Sequence, residues 1–315
     1  MRAFSWAKTL KPRKSWRAPL KTPELTLGDL VDRYLPYAER KLKASTYSGV
    51  VLHLRKHWAP LHPCALKELE RRHVAANLSR ISASSGPIGA NRSRAALSAL
   101  FSWAIGEGVS DSNPVVGTNL SNEVSRDRTF TDEELRLIWL HAGSGQYGAI
   151  VRLLMLTGQR RDEVGAMRSI ELKLEQGLWT IHPARTKNGR AHDVPLSPTA
   201  IEILRACPRL PGREFVFGEG PGPFSGWSKA KASLDKRMLS AGPLAPWRLH
   251  DLRRTVATRL GDLGVLPHVV EAILNHVSGH KAGVAGVYNR SVYAPEKRAA
   301  LEKWAEYISN LNIGT

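Results

Sequence analysis

Cysteine, acidic residues and long apolar runs are all scarce in this chain of 315 residues. Its two cysteines, Cys64 and Cys207, lie far apart without a CxxC pair or a Cys/His cluster, which argues against a disulfide framework and a zinc site. No apolar run reaches the length of a membrane span, and the basic amino terminus lacks the uninterrupted apolar core of a signal peptide. A reducing bacterial cytoplasm is the expected location. Asp and Glu number 28 against 46 Lys and Arg, a formal net charge of +18. With 42% hydrophobic residues, the charge belongs to a folded basic protein and not to a disordered basic tail. A polyanion is the expected partner, although ribosomal and membrane-surface proteins share this charge balance.

The length suits two domains, each with its own buried core. Residues 1–25 hold Arg2, Lys8, Lys11, Arg13, Lys14, Arg17 and Lys21 against the single acid Glu24, with Phe4, Trp6 and Trp16 interleaved. This stretch reads either as an arm that tracks phosphates by counterion release or as a solvated tail. Over residues 26–115, apolar positions recur at helix spacing in TLGDLVDRYLPYA and RAALSALFSWAIGEG, so a small all-α domain is expected. Arg55, Lys56, Arg71, Arg72, Arg92 and Arg94 lie within it. Singly they are solvated side chains; as a set they can line one cationic surface.

Residues 116–130 are polar and aperiodic, the best candidate for a linker. A second domain, 131–293, opens on Thr131-Asp132-Glu133-Glu134, which has the spacing of a capping box, followed by the stripe Leu135, Ile138, Trp139 and Ala142. A further helix ends where Gly158 can serve as its C′ residue. Between Leu178 and Leu196 the period shortens to that of strands, and Asn188-Gly189 predicts a type I′ hairpin turn. Helical patterning returns at 198–206, 228–239, 250–263 and 267–274. Residues 294–315 read as a terminal helix with Leu301, Trp304, Ile308 and Leu311 as its apolar stripe.

The second domain carries side chains suited to one kind of chemistry. Breaking a phosphodiester without a metal requires neutralising a phosphorane-like transition state, a task for guanidinium groups, which stay charged and offer forked donors. Arg160 follows the helix-ending Thr157-Gly158 and precedes Glu163 by three, so the carboxylate can orient an arginine. His250 and Arg253, at i and i+3, can present an acid/base group and a guanidinium from one helical face. Lys187 sits beside the predicted turn, where a titratable ammonium can protonate a departing oxygen, with Arg190 on the turn's far side. His276 follows a short helix, with His280 as its neighbour. A tyrosine such as Tyr288 or Tyr293 can attack phosphorus and conserve the bond energy as a phosphotyrosyl ester, without ATP.

In this order, Thr157-Gly158-x-Arg160-x-x-Glu163, Thr186-Lys187 with Val194-Pro195-Leu196, His250-x-x-Arg253-Arg254-Thr255, Leu274-Asn275-His276 and Gly286-Val287-Tyr288-Asn289-Arg290 resemble the motifs of the tyrosine recombinase (phage integrase) family. The likeness is to its satellite-phage-like members, strong from Thr131 onward and one of general pattern before it. It selects His276 over His280 and Tyr288 over Tyr293. Two positions depart from the common pattern: Asn275 stands where the family usually has glycine, and the interval from His276 to Tyr288 is longer.

The resemblance implies a mainly α protein with a small antiparallel β-sheet. An N-terminal all-α core-binding domain would cover 26–115, and a C-terminal mixed α/β catalytic domain of the DNA breaking-rejoining fold would cover 131–293. It also implies a DNA strand transferase with neither metal nor organic cofactor. Arg160, Arg253 and His276 would hold the scissile phosphate, oriented in part by Glu163. Tyr288 would attack, Lys187 would protonate the leaving 5′-hydroxyl, and His250 would act as acid/base. Arg55, Lys56, Arg92, Arg94 and Arg190 become candidate DNA contacts. The implied partners are double-stranded DNA carrying specific recombination sites, three further copies in a synaptic tetramer, and accessory bending or directionality factors. The location narrows to the bacterial nucleoid, with no membrane, and the outcome to integrating or excising a mobile element. Two alternatives accompany this reading: strand relaxation of the type IB topoisomerase kind by a monomer, and a catalytically idle DNA-binding regulator.

Overall fold

The helical period of the amino-terminal half becomes α1 (Leu27–Lys41), α2 (Ala44–Leu52) and α3 (Arg71–Gly106). The computed structural model describes residues 24–242, 244–276 and 292–313. The chain divides into two units between Ser125 and Arg126.

In the first unit, Thr26 starts α1 with a reciprocal cap: its Oγ1 accepts from Asp29 N at 3.2 Å and its own N–H donates to Asp29 Oδ2 at 3.0 Å. Leu27, Leu30, Val31, Tyr34 and Ala38 then recur on one buried face against Trp58, Leu97 and Phe101. Gly86, at φ 77 and followed by Pro87, breaks α3 into two segments. The segment expected to be a linker is aperiodic, yet it is held by side chains at both ends. Asn91 Nδ2 donates to Ser121 O at 2.8 Å in the first unit, and Phe130 N donates to Thr255 Oγ1 at 2.9 Å in the second.

The second unit begins with α4 (Asp132–His141), capped as Thr131 and Glu134 predict: Glu134 N to Thr131 Oγ1 is 3.3 Å and Thr131 N to Glu134 Oε2 is 3.0 Å. Helix α5 (Gln146–Thr157) supplies much of the core and ends in the left-handed Gly158, at φ 63. There a Cβ would lie 2.9 Å from Val256 Cγ1, so both conformation and space require glycine. After the short α6 (Arg161–Gly165) come β1 (Leu172–Lys173), β2 (Leu178–Ile181) and β3 (His192–Pro195), an antiparallel sheet in that order. Helices α7 (Pro198–Ala206), α8 (Trp227–Met238), α9 (Leu249–Asp262), α10 (Pro267–Ile273) and α11 (Ala294–Ile313) follow among the described residues of the unit. Among the described residues the fold is mainly helical with a small antiparallel sheet, as expected.

The predicted two-residue hairpin is not what forms. The β2–β3 ladder ends at the Ile181–His192 pair, because Pro183 has no N–H to continue it and opens a 3-10 turn. The chain then crosses residues 182–191 through a turn closed by Gly189 N to Thr186 O at 3.5 Å. Only Gly189 in that turn takes a positive φ, at 71°, so Asn188 does not adopt the type I′ geometry.

Helix α11 docks on its own unit. Leu301, Trp304 and Ile308 are buried, each worth about 1.5–3 kcal/mol, and Trp304 Nε1 donates to Met155 O at 2.7 Å. Leu311 packs at the margin of the same core. Among the described residues, no helix is long and apolar enough to cross a membrane, and no group of three His, Cys, Asp or Glu could hold a metal ion.

Candidate active site

Two left-handed chain reversals, at Gly158 and Asn275, position Arg160 and His276 around Arg253. The left-handed Gly158 turns the chain out of α5, so Arg160 becomes the N-cap of α6. Its backbone N–H donates to Glu163 Oε2 at 3.0 Å and its Nη1 pairs with Glu163 Oε1 at 2.8 Å. Glu163 is only 4% exposed. One buried carboxylate therefore fixes both the backbone and one edge of the guanidinium, which has five N–H donors in all.

Arg253 lies one turn into α9 and is 4% exposed. Its Nη1 donates to Gly158 O at 2.8 Å, and its Nη2 donates to Leu274 O. The side chain thus bridges the exit of α5 to the exit of α10. Burial, with Arg160 adding to it, lowers its pKa to about 10 against the opposing pull of Glu163, so it stays cationic at neutral pH.

The α10 exit is a Schellman motif with asparagine at the left-handed position: Asn275 has φ 51 and His276 N donates to Glu271 O at 3.0 Å. Two buried side chains hold the carbonyl just before it. Gln159 Nε2 and His192 Nε2 lie 2.9 and 3.0 Å from Ile273 O. His192 is pushed down to about 3 by burial and then by Lys297, so it is neutral and donates from Nε2. Sequence reading missed both residues. The alternation that places His192 and Val194 on the inner face of β3 was the available signal.

His250 sits in the first turn of α9, beside the buried Asp251, whose carboxylate accepts from Arg248 N at 2.8 Å, Arg254 Nη1 at 2.8 Å and Arg126 Nε at 3.1 Å. Burial holds His250 below its ordinary pKa, with Arg254, Arg253 and Arg160 acting in the same direction and Asp251 against them. Burial also lowers His276, again with Arg253 and Arg160 in concert and Glu271 opposing. Two guanidinium groups therefore act on both histidines. A groove of about 490 Å³ runs past Arg160 and His250, walled by Trp227, Lys231, Trp247 and Arg248.

Lys187 and Arg190 lie exposed on the β2–β3 connection. Thr186 Oγ1 donates to Arg190 O at 2.8 Å across the base of this loop. Asn188 Nδ2 donates to Asn275 Oδ1 at 2.7 Å, tying the loop to the turn that precedes His276. Tyr288 and His280 lie outside the described residues. Tyr293, the competing tyrosine, has φ 48 and its ring 4.8 Å from that of His268, and its carbonyl accepts from Lys297 N at the start of α11.

In the first unit the candidate cations are distributed differently. Arg55 pairs with Asp32 at 2.5 Å and Arg92 with Glu123 at 3.2 Å, while Lys56 is exposed. Arg94 directs Nε to Thr118 Oγ1 at 2.8 Å and Nη2 to Val115 O at 3.3 Å. Its guanidinium fastens the end of this unit, an intramolecular use that the pattern of basic residues did not reveal.

Comparison with known proteins follows this architecture. A model described as the phage integrase family matches residues 130–293. Prophage integrase IntA of Escherichia coli K12 is 35% identical over 51% of this chain and 38% of its own length. The chain spans about two fifths of the curated relatives first matched, 38% and 42% of their lengths. A crystal structure of a lambda integrase dimer bound to a COC′ core site superposes with a TM-score of 0.65 at 24% identity, covering 80% of this chain and 96% of that one. A lambda integrase tetramer bound to a Holliday junction gives the same TM-score of 0.65 at 24% identity, over 80% of this chain and 78% of the other. At this identity the superpositions establish the fold.

Proposed function

The chain belongs to the phage integrase family, and on that premise we propose that it is a site-specific DNA recombinase acting through a 3′-phosphotyrosyl intermediate. The observation that carries this reading is the convergence of Arg160 and Arg253, which depress His250 and His276 together and are held by Glu163 and by the two helix exits. Two guanidinium groups that lower the proton affinity of both histidines suit an anion whose charge grows in the transition state.

In the proposed reaction, the phenolate oxygen of Tyr288 attacks phosphorus and the bond to the 5′-oxygen breaks. Lys187 gives its proton to that oxygen. Arg160, Arg253 and His276 hold the non-bridging oxygens, and His250 exchanges the tyrosine proton. The exposed Arg190 and Lys56 contact the DNA backbone; Arg55 and Arg92 do so by exchanging their carboxylate partners for phosphates. Double-stranded DNA is the substrate, and four copies would assemble for exchange, as in the lambda integrase tetramer on a Holliday junction.

One observation favours a second reading, relaxation of supercoils by a monomer: α11 is spent on its own core through Leu301, Trp304 and Ile308. Incubation with two distinguishable duplexes separates the two. Recombinant products support the recombinase, whereas relaxed plasmid without any recombinant duplex supports the monomeric reading.

A further inference from the structure

Two asparagines that have no part in the proposed chemistry join the loop of Lys187 to the turn of His276. Asn275 occupies the left-handed C′ position of α10 at φ 51, where glycine is easiest and asparagine next. Backbone demand alone admits either residue. The side chain distinguishes them, because Asn275 Oδ1 accepts from Asn188 Nδ2 at 2.7 Å, a bond glycine could not make. Asn188 is itself oriented, its Oδ1 accepting from Arg190 N at 3.2 Å. The backbone of its turn is closed by a single long bond, Gly189 N to Thr186 O at 3.5 Å. Thr186 Oγ1 to Arg190 O closes the base of the loop at 2.8 Å, and the short amide pair ties its tip to the α10 exit.

Resting on the strand-transfer reading above, we propose that Asn188 and Asn275 form a latch that sets Lys187 against the same phosphate as His276. Each asparagine is one residue from the group it would place, so the pair fixes the spacing between the proton donor and an anion ligand. Both are positioning residues. Neither needs to touch DNA.

Asn275→Gly removes the short 2.7 Å bond while keeping the left-handed backbone, leaving the 3.4 Å bond from Asn188 Nδ2 to the residue 275 carbonyl, and Asn188→Ala removes both. The probe is a duplex recovered by covalent capture from a randomised nicked library, made with either an ordinary 5′-oxygen or a 5′-bridging sulfur at the cleaved position. A thiolate leaves without a proton, so a defect in the placement of Lys187 disappears on the sulfur substrate. The latch predicts that each variant cleaves the oxygen substrate about tenfold more slowly, roughly the effect of one lost hydrogen bond, with unchanged DNA affinity. It also predicts recovery on sulfur, and near wild-type cleavage by Asn275→Asp, which keeps the acceptor. Equal losses on both substrates, or no loss on either, would overturn it. Failure of the wild-type chain to form an adduct with any library member contradicts the strand-transfer reading itself, and the latch with it.

Discussion

Arg253 Nη1 donates to Gly158 O at 2.8 Å, so a side chain on α9 fastens the end of α5 two residues before Arg160. Its other terminal nitrogen reaches Leu274 O, two residues before His276. The second guanidinium of the site is thus also the tie that places the first guanidinium and the second histidine. Arg253→Lys keeps the charge but cannot span both carbonyls, leaving a buried acceptor unpaired. It should lose about 1–3 kcal/mol in urea unfolding, whereas Arg160→Lys, whose side chain is partly exposed, should lose no more than about 1 kcal/mol. Both should cleave DNA poorly, and equal stability losses would contradict the bridging role.

Gly158→Ala probes the same junction from the backbone. The residue must hold φ 63 while its new Cβ meets Val256 Cγ1 at 2.9 Å. A loss of about 1–2 kcal/mol from the left-handed conformation alone is expected, with the contact adding to it. Thermal unfolding measures this, and a variant as stable as the parent would show that the α5 exit is less constrained than its packing indicates.

Glu163→Gln separates orientation from stability. The amide oxygen can still accept Arg160 N, so helix α6 keeps its cap, but the ion pair to Nη1 is lost. Strand cleavage should fall while the unfolding midpoint moves little. Glu163 also opposes the lowering of Arg253, so its removal should push that pKa further below about 10.

His192 makes stability depend on acid. Its folded-state pKa of about 3 lies well below the ordinary 6.5, because burial disfavours the charged ring. Below 6.5 the unfolded chain binds a proton that the native state refuses. This contribution is therefore complete above 6.5 and is lost as pH falls toward 3, at about 1.4 kcal/mol per pH unit. His192→Gln should flatten that part of the stability profile in chemical denaturation. An unaltered profile would place the buried titration elsewhere.

Helix periodicity, the capping box at Thr131 and the left-handed stop at Gly158 were legible because each depends on near neighbours in sequence. So was the i, i+3 pairing of Arg160 with Glu163. The hairpin was misread because Asn188-Gly189 signals a tight turn, whereas Pro183 ends the ladder early and the Asn188 side chain bonds Asn275, far along the chain. The bonds of Arg94 were not legible for a similar reason, its partners Val115 and Thr118 lying beyond the helix that carries it. Gln159 and His192 act through Ile273 O, a backbone atom that no motif displays. Contacts between distant segments are set by packing, and a single sequence records them only indirectly.

Covalent capture of DNA reads out strand transfer and its nucleophile together. The protein is incubated with a library of nicked duplexes carrying a randomised region, denatured in detergent, and examined for DNA that migrates with the polypeptide. An adduct is expected from the parent chain and from Tyr293→Phe, and none from Tyr288→Phe, with the label on the 3′ side of the break. An adduct that survives in Tyr288→Phe, or vanishes in Tyr293→Phe alone, would contradict it.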